Sequence, residues 1–222
     1  HIQLPVEKVF DVVSNKRPGM PDDNRGEFGK KLKIWKKKSG DLAQLKNFMP
    51  PGYGRPIDEN DNSWRPYDTI FGGFWQGGKH WSEVLADDAI NFIEDSKKYK
   101  DPYFMYLAFN APHDPRQAPK RFLEMYPLEK ISLPPNYSSQ HPFWKEIGNE
   151  PGVRDEALAP YPRSEYAVKK HIQEYYAVIT HLDEQVGKII SHLENQDMLK
   201  NTYIIFTSDH GLAVGQHGLI GK

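Results

Sequence analysis

Cysteine is absent from all 222 residues. That excludes a disulfide framework and any thiolate chemistry within this stretch. No apolar run approaches the ~18 residues that a membrane-crossing helix needs. The opening residues, HIQLPVEKVF, lack the basic start and apolar core of a secretory signal, and they lack an initiator methionine. Charge of one sign is missing too. The net charge is −1, which gives no reason to expect nucleic acid as a partner. Six lysines between Lys30 and Lys38 are the exception, and a run of that kind reads as a solvated face. Hydrophobic residues make up only 38% of the chain, while aromatic residues reach 13%. A core is therefore expected, with much of the chain in loops around it. Opening on His1 and closing on Gly221-Lys222, the sequence reads as the middle piece of a longer polypeptide.

What is present sharpens along the chain. Residues 1–79 show no long periodic pattern, and Pro-Gly and Arg-Pro pairs punctuate them, so they read as an irregular, loop-rich segment. A short element near Val6–Val13 and a short basic helix over Lys30–Lys38 are the expected exceptions. Trp35, Trp64, Phe71, Phe74 and Trp75 argue that these loops are packed. From His80 the pattern turns helical: Trp81, Val84, Leu85, Ala89, Phe92 and Ile93 recur at helix spacing, with an end predicted near Lys97. Tyr103 to Phe109 is a continuous apolar and aromatic run, which reads as a strand covered on both faces. Ten of the eighteen prolines then fall between residues 112 and 162, which leaves room for only a turn or two of helix near Lys120. A long amphipathic helix is expected from Glu165 to about Asp197, capped by Ser164. Tyr203 to Thr207 is the second predicted strand. Together residues 80–222 form a β-α-β core carrying a Pro-rich insertion at 112–163. The fold class is α/β, with a mainly parallel sheet flanked by helices and long Pro-rich loops.

Two polar segments follow the two predicted strands. His113, in Pro112-His113-Asp114-Pro115, lies four residues past the first, and the Asp209-His210 pair lies just past the second. Parallel strands would bring both to the same sheet edge, where ligands bind in open α/β folds. Alone, each segment is more simply a turn with a solvated histidine or a self-bonded aspartate. Their joint placement favours a site. Asp209 is a hard ligand for a divalent cation, and His210 can be a second ligand. His113 can donate a proton near neutral pH, and Lys222 can hold an anionic oxygen as a point charge. Such a set suits the hydrolysis of a sulfate or phosphate ester.

The segments TSDHG, GQHG and GK, with Lys222 thirteen positions after Asp209, together with FNAPHDP and HLDEQVGKII, resemble the sulfatases of the alkaline phosphatase superfamily. The resemblance covers about Trp81 to Lys222. It is strongest to carbohydrate sulfatases that have an Asp-His pair at the metal. It implies that Asp209 and His210 ligate a divalent cation, usually calcium. It also implies that Lys222 and His113 grip the sulfate, with His113 protonating the departing alcohol. His1 is a further candidate, because these enzymes often carry a Gly-Lys-Trp-His segment whose histidine would open this chain. A sulfated small molecule or glycan is the implied substrate, and a periplasmic, secreted or lysosomal location the implied compartment. His217, inside GQHG, is expected to support the site from behind its ligands or to pack the loop, since the family's ligand positions do not include it.

The departures are equally specific. The family's nucleophile is a formylglycine made within Cys/Ser-x-Pro-x-Arg, and no such motif occurs in the 222 residues. Nothing here matches the family's two early metal-binding aspartates either. These 222 residues alone are therefore expected to be inactive, with the formylglycine and those aspartates upstream of His1. Two other readings stand beside sulfate ester hydrolysis: a phosphonate or phosphodiester hydrolase of the same superfamily, and a non-catalytic anion- or sugar-binding module.

Overall fold

A computed structural model describes residues 5–15, 25–38, 52–147 and 155–222. Its axis is the longest helix, α4, which runs over Glu165–Asn195 and whose start is set by Ser164 accepting from the Ala167 amide at 3.1 Å. That bond satisfies one of the amides a helix N-terminus leaves without a partner. Two shorter helices lie against it: α2, Trp81–Ser96, and α3, Lys120–Glu124. The basic helix α1 spans Arg25–Lys38, longer than expected, with Trp35 buried and Lys36 to Lys38 exposed. The short element predicted near Val6 is a 3-10 turn over Val6–Lys8.

Three apolar clusters hold the helices together. Phe74, Trp81, Phe122, Val178 and Leu182 join α2, α3 and the middle of α4. Ala86, Ala89, Ile93, Ile189 and Leu193 zip the rest of α2 to the end of α4. Ile131, Leu158, Val168, Ile172, Val214 and Ile220 pack the start of α4 against the loops that follow it and precede it. The packed face of α4 differs from the apolar stripe read in its sequence. Tyr176 and Ile179 are exposed, whereas His171, Gln173, Glu174, His181 and Gln185 are buried. These polar groups face inward because partners await them: Gln173, for example, donates to the Tyr126 carbonyl at 2.8 Å.

The two predicted strands form no ladder. Among the described residues the named sheet is the antiparallel pair β1, Trp75–Gln76, and β2, Lys79–His80. The mainly parallel sheet is thus not formed by these residues. Burial nevertheless alternates along the first run. Tyr103, Met105, Leu107 and Phe109 pack on the helix cluster, while Phe104 and Tyr106 are exposed. That period of two belongs to an extended backbone. Coverage was expected on both faces; among the described residues the helices cover one of them. Tyr203 to Phe206 are exposed throughout, with Tyr203 wholly so.

Candidate active site

His1 lies outside the described residues; the other four candidates are described. Asp209 and His210 sit on an exposed turn after the second extended run. The His210 amide donates to Asp209 Oδ1 at 3.0 Å, His210 Nε2 lies 3.4 Å from Asp209 Oδ2, and His210 Nδ1 lies 3.0 Å from the Gly211 carbonyl. Among the described residues no group of three or more His, Cys, Asp and Glu comes together to hold a metal ion. The pair fits as two donors of a larger set. One is a carboxylate 86% exposed, so turning it outward costs little burial, and the other is an imidazole whose tautomer can adapt.

The thirteen residues after Asp209 double back on themselves. Ala213 donates to the Gly221 carbonyl and Gly215 to the Leu219 carbonyl, both at 2.8 Å, which closes a hairpin. Its turn uses Gly215 at φ +100° and Gly218 at φ +77°, conformations that L side chains rarely adopt. The hairpin rests on the Pro-rich insertion, where the His217 amide donates to the Asn136 carbonyl at 2.8 Å and the His217 ring meets the Asn136 amide at 2.9 Å. His217 thus packs the loop, as expected. Because Gly221 pairs with Ala213, the backbone of Lys222 returns to the level of Leu212, close in sequence to Gly211 and the Asp-His pair. Lys222 itself is exposed.

His113 lies in the loop that follows the first extended run. Its Nδ1 faces two acceptors of Asp114, the carbonyl at 2.7 Å and the carboxylate at 3.0 Å. A nitrogen between two acceptors carries the proton, so Nε2 is the ring atom left to exchange one. Asp114 is buried and the His113 side chain is 21% exposed, which leaves the imidazole anchored yet reachable.

Arg116, three residues past His113, belongs to a buried ionic cluster that no sequence pattern signalled. Three arginines (Arg55, Arg116, Arg163) and three carboxylates (Asp114, Glu156, Glu174) are all buried, so the charges can balance. Arg55 grips Glu174 with two parallel bonds of 2.5 and 2.6 Å and stacks on the Trp64 ring at 3.7 Å. Arg116 bonds His171 Nδ1 and reaches the Ile220 carbonyl at 3.3 Å. His171 donates its other nitrogen to the Arg55 carbonyl at 2.8 Å. Burial, aided by the neighbouring Arg116 and Arg55 guanidiniums, holds the His171 pKa well below its ordinary value. It is a neutral spacer between two cations. The third arginine, Arg163, pairs with Glu156 at 2.5 Å and bonds the carbonyls of Gly218 and Ala159. Glu156 also accepts from the amides of Ile220 and Gly221 at 3.2 and 3.0 Å.

A second buried pair lies at the junction of α2 and α4, where His80 caps α2 by accepting from the Ser82 amide and packs edge-on to His181 at 4.4 Å. Burial, reinforced by His181, pushes the His80 pKa down to about 3, and burial likewise brings His181 to about 4. These two histidines are part of the packing. His171 and His181 are both buried. His171 is bonded at both ring nitrogens, whereas His181 meets Glu83 through Nε2 at 3.1 Å and its Nδ1 has no hydrogen-bond partner.

The family model for sulfatases matches residues 27–222. A sulfatase of Formosa agariphila is 31% identical over 188 residues, covering 80% of this chain and 35% of that protein. Iduronate 2-sulfatase of Mus musculus is 37% identical over 142 residues, covering 60% of this chain and 26% of its own length. A crystal structure described as the sulfatase yidJ from Bacteroides fragilis aligns with a TM-score of 0.47 at 30% identity, covering 65% of this chain and 28% of that one. The chain thus spans about a quarter to a third of the length of these relatives.

Proposed function

Since the chain belongs to the sulfatase family of the alkaline phosphatase superfamily, we propose that it supplies part of a site that hydrolyses sulfate esters. The observation that carries this reading is the hairpin, which returns Lys222 to the level of Leu212 while Arg116, three residues past His113, bonds the same hairpin at Ile220. One ester would then meet both the Lys222 cation and an anchored imidazole. Lys222 holds a sulfate oxygen as a point charge. His113 holds a second and passes a proton through Nε2 to the departing alcohol, with Nδ1 kept protonated by Asp114. Asp209 and His210 are the donors offered to a divalent cation, calcium by family resemblance; bound there, it would neutralise charge on the sulfate oxygens. His1 is a further proposed substrate contact. The formylglycine nucleophile belongs to a Cys/Ser-x-Pro-x-Arg motif that these 222 residues do not contain.

The same reading treats residues 1–222 as part of one catalytic domain, with 103–109 and 203–207 as parallel strands of its sheet. The substrate class is a sulfated carbohydrate, and the location periplasmic, secreted or lysosomal. No helix among the described residues is long and apolar enough to cross a membrane.

Turnover of an aryl sulfate and of phenyl phosphonate by the intact protein separates the proposal from its phosphonate alternative. We expect sulfate to be the better substrate by kcat/KM. Preference for the phosphonate would transfer the reading to that hydrolase class. Failure to bind either ester or inorganic sulfate would end it. The isolated 222-residue chain should show no turnover.

A further inference from the structure

Ile220 and Gly221 have no catalytic side chain, yet two buried charged groups bond their backbone and a third braces the hairpin beside them. Glu156 accepts from both amides, at 3.2 and 3.0 Å. The guanidinium of Arg116 meets the Ile220 carbonyl at 3.3 Å. Arg163, paired to Glu156 at 2.5 Å, takes the Gly218 carbonyl at 3.2 Å. All three residues are at most 3% exposed, and Ile220 itself is fully buried. A Cβ at residue 221 would lie 2.5 Å from Asp155 Cβ and 3.2 Å from Glu156 Oε1, so glycine is what lets this peptide settle on the carboxylate.

Hydrophobic packing of Ile220 alone would not need three buried ions. Each costs desolvation that only fixed geometry repays, and geometry at this point has two ends. Arg116 follows His113 by three residues, and Lys222 follows Ile220 by two. We propose that Arg116 and the Glu156–Arg163 pair are positioning residues: they lock the Ile220–Gly221 backbone to the His113 loop and so set the gap between His113 and Lys222. The inference rests on the sulfate-ester reading above. None of the three touches the ester. They act through the backbone, and Arg116 is itself aligned by His171, which is held neutral with Nδ1 as the acceptor.

The test uses the intact protein with Arg116→Lys and Glu156→Gln, and Leu193→Ala as a packing control at the far end of α4. For each, kcat and KM on an aryl sulfate, the inhibition constant of inorganic sulfate, and amide exchange at Ile220 and Gly221 are measured. A misplaced grip weakens anion binding itself. Both Arg116→Lys and Glu156→Gln should therefore raise KM and the sulfate inhibition constant together, by about tenfold. Glu156→Gln should also speed exchange at the two amides, while Leu193→Ala lowers thermal stability and leaves KM unchanged. If the two variants lose only folded fraction, with KM and sulfate inhibition as in the parent, the inference is overturned while the sulfatase reading stands. Should Glu156→Gln fail to fold, Arg116→Lys alone decides by the same constants. Absence of sulfate binding and turnover in the unaltered protein would instead remove the reading, and the inference with it.

Discussion

The helical half and the two extended runs both present apolar side chains for burial, yet they end in different states. α2, α3 and α4 bury their stripes against one another: Ala86, Ile93, Phe122, Val178 and Leu193 are all buried. Tyr203, Ile205 and Phe206 are 100%, 88% and 77% exposed, although every residue from Tyr203 to Phe206 is apolar or aromatic. A helix satisfies its own backbone and needs only a face to pack on, whereas a strand needs neighbours on both flanks for its amides and carbonyls. The helices of this chain find their partners within it. The runs at 103–109 and 203–207 do not find theirs among the described residues, and the candidate site begins where each of them ends.

Several substitutions would sharpen or break this contrast. The largest effect is expected at the exposed edge, on activity and not on stability. Lys222→Ala should cost the intact protein about 10²–10³-fold in kcat/KM on an aryl sulfate, with a melting temperature close to that of the parent. A small kinetic change would mean that the exposed lysine is only a solvated loop residue. Next comes the buried ionic layer. Glu174→Ala leaves Arg55 uncompensated and should lower unfolding free energy by about 3–5 kcal/mol in chemical denaturation. Ile205→Ala tests the extended run directly. If the intact protein covers it in a sheet, the cost should be about 2–5 kcal/mol. A cost within about 0.5 kcal/mol would show the run to be as exposed there as it is here.

The last effect is graded with pH, is smallest per unit of pH near 6.5, and belongs to the helical half. His80 and His181 have folded-state pKa values lowered to about 3 and about 4 from an ordinary 6.5. Depressed values mean that the fold favours the neutral rings. The stability they contribute is whole above pH 6.5 and falls as the unfolded chain binds protons that the folded one refuses. Each should cost about 1.4 kcal/mol per pH unit below 6.5, levelling near pH 4 for His181 and near pH 3 for His80. The groups facing them include Glu83, Glu184, Lys188 and Arg121, so the double variant His80→Gln/His181→Gln should flatten this slope while leaving some acid sensitivity. Urea titrations at pH 7, 5.5 and 4.5 would show it.

How much of this was legible beforehand follows from the range of the interactions. α2 and α4 were readable because their signal is local: apolar residues at helix spacing, and Ser164 just ahead of Glu165. The hairpin's ingredients, paired glycines and a fixed distance to Lys222, were readable as a motif but not as a shape. Arg116, Glu156 and Arg163 were not legible. Their partners are set by the fold, with Glu156 lying 64 residues from Ile220 and Arg116 lying 104 residues from it. Nothing in the neighbouring sequence marks them as buried. The run from Tyr103 misled for a different reason. A continuous apolar string says that both faces can be covered, not that both are, and only the alternation of burial shows which face these helices take.

The hairpin from Ala213 to Gly221 also gives the distance between Asp209 and Lys222 a meaning of its own. Two arms that pair residue for residue make that distance a count, not a choice of letters. Leu212 and Leu219 can be exchanged for other side chains as long as the arms still meet. One residue inserted or deleted in a single arm would shift the pairing by a step and carry the terminal amine off its mark. Across related sequences this stretch should vary in spelling long before it varies in length.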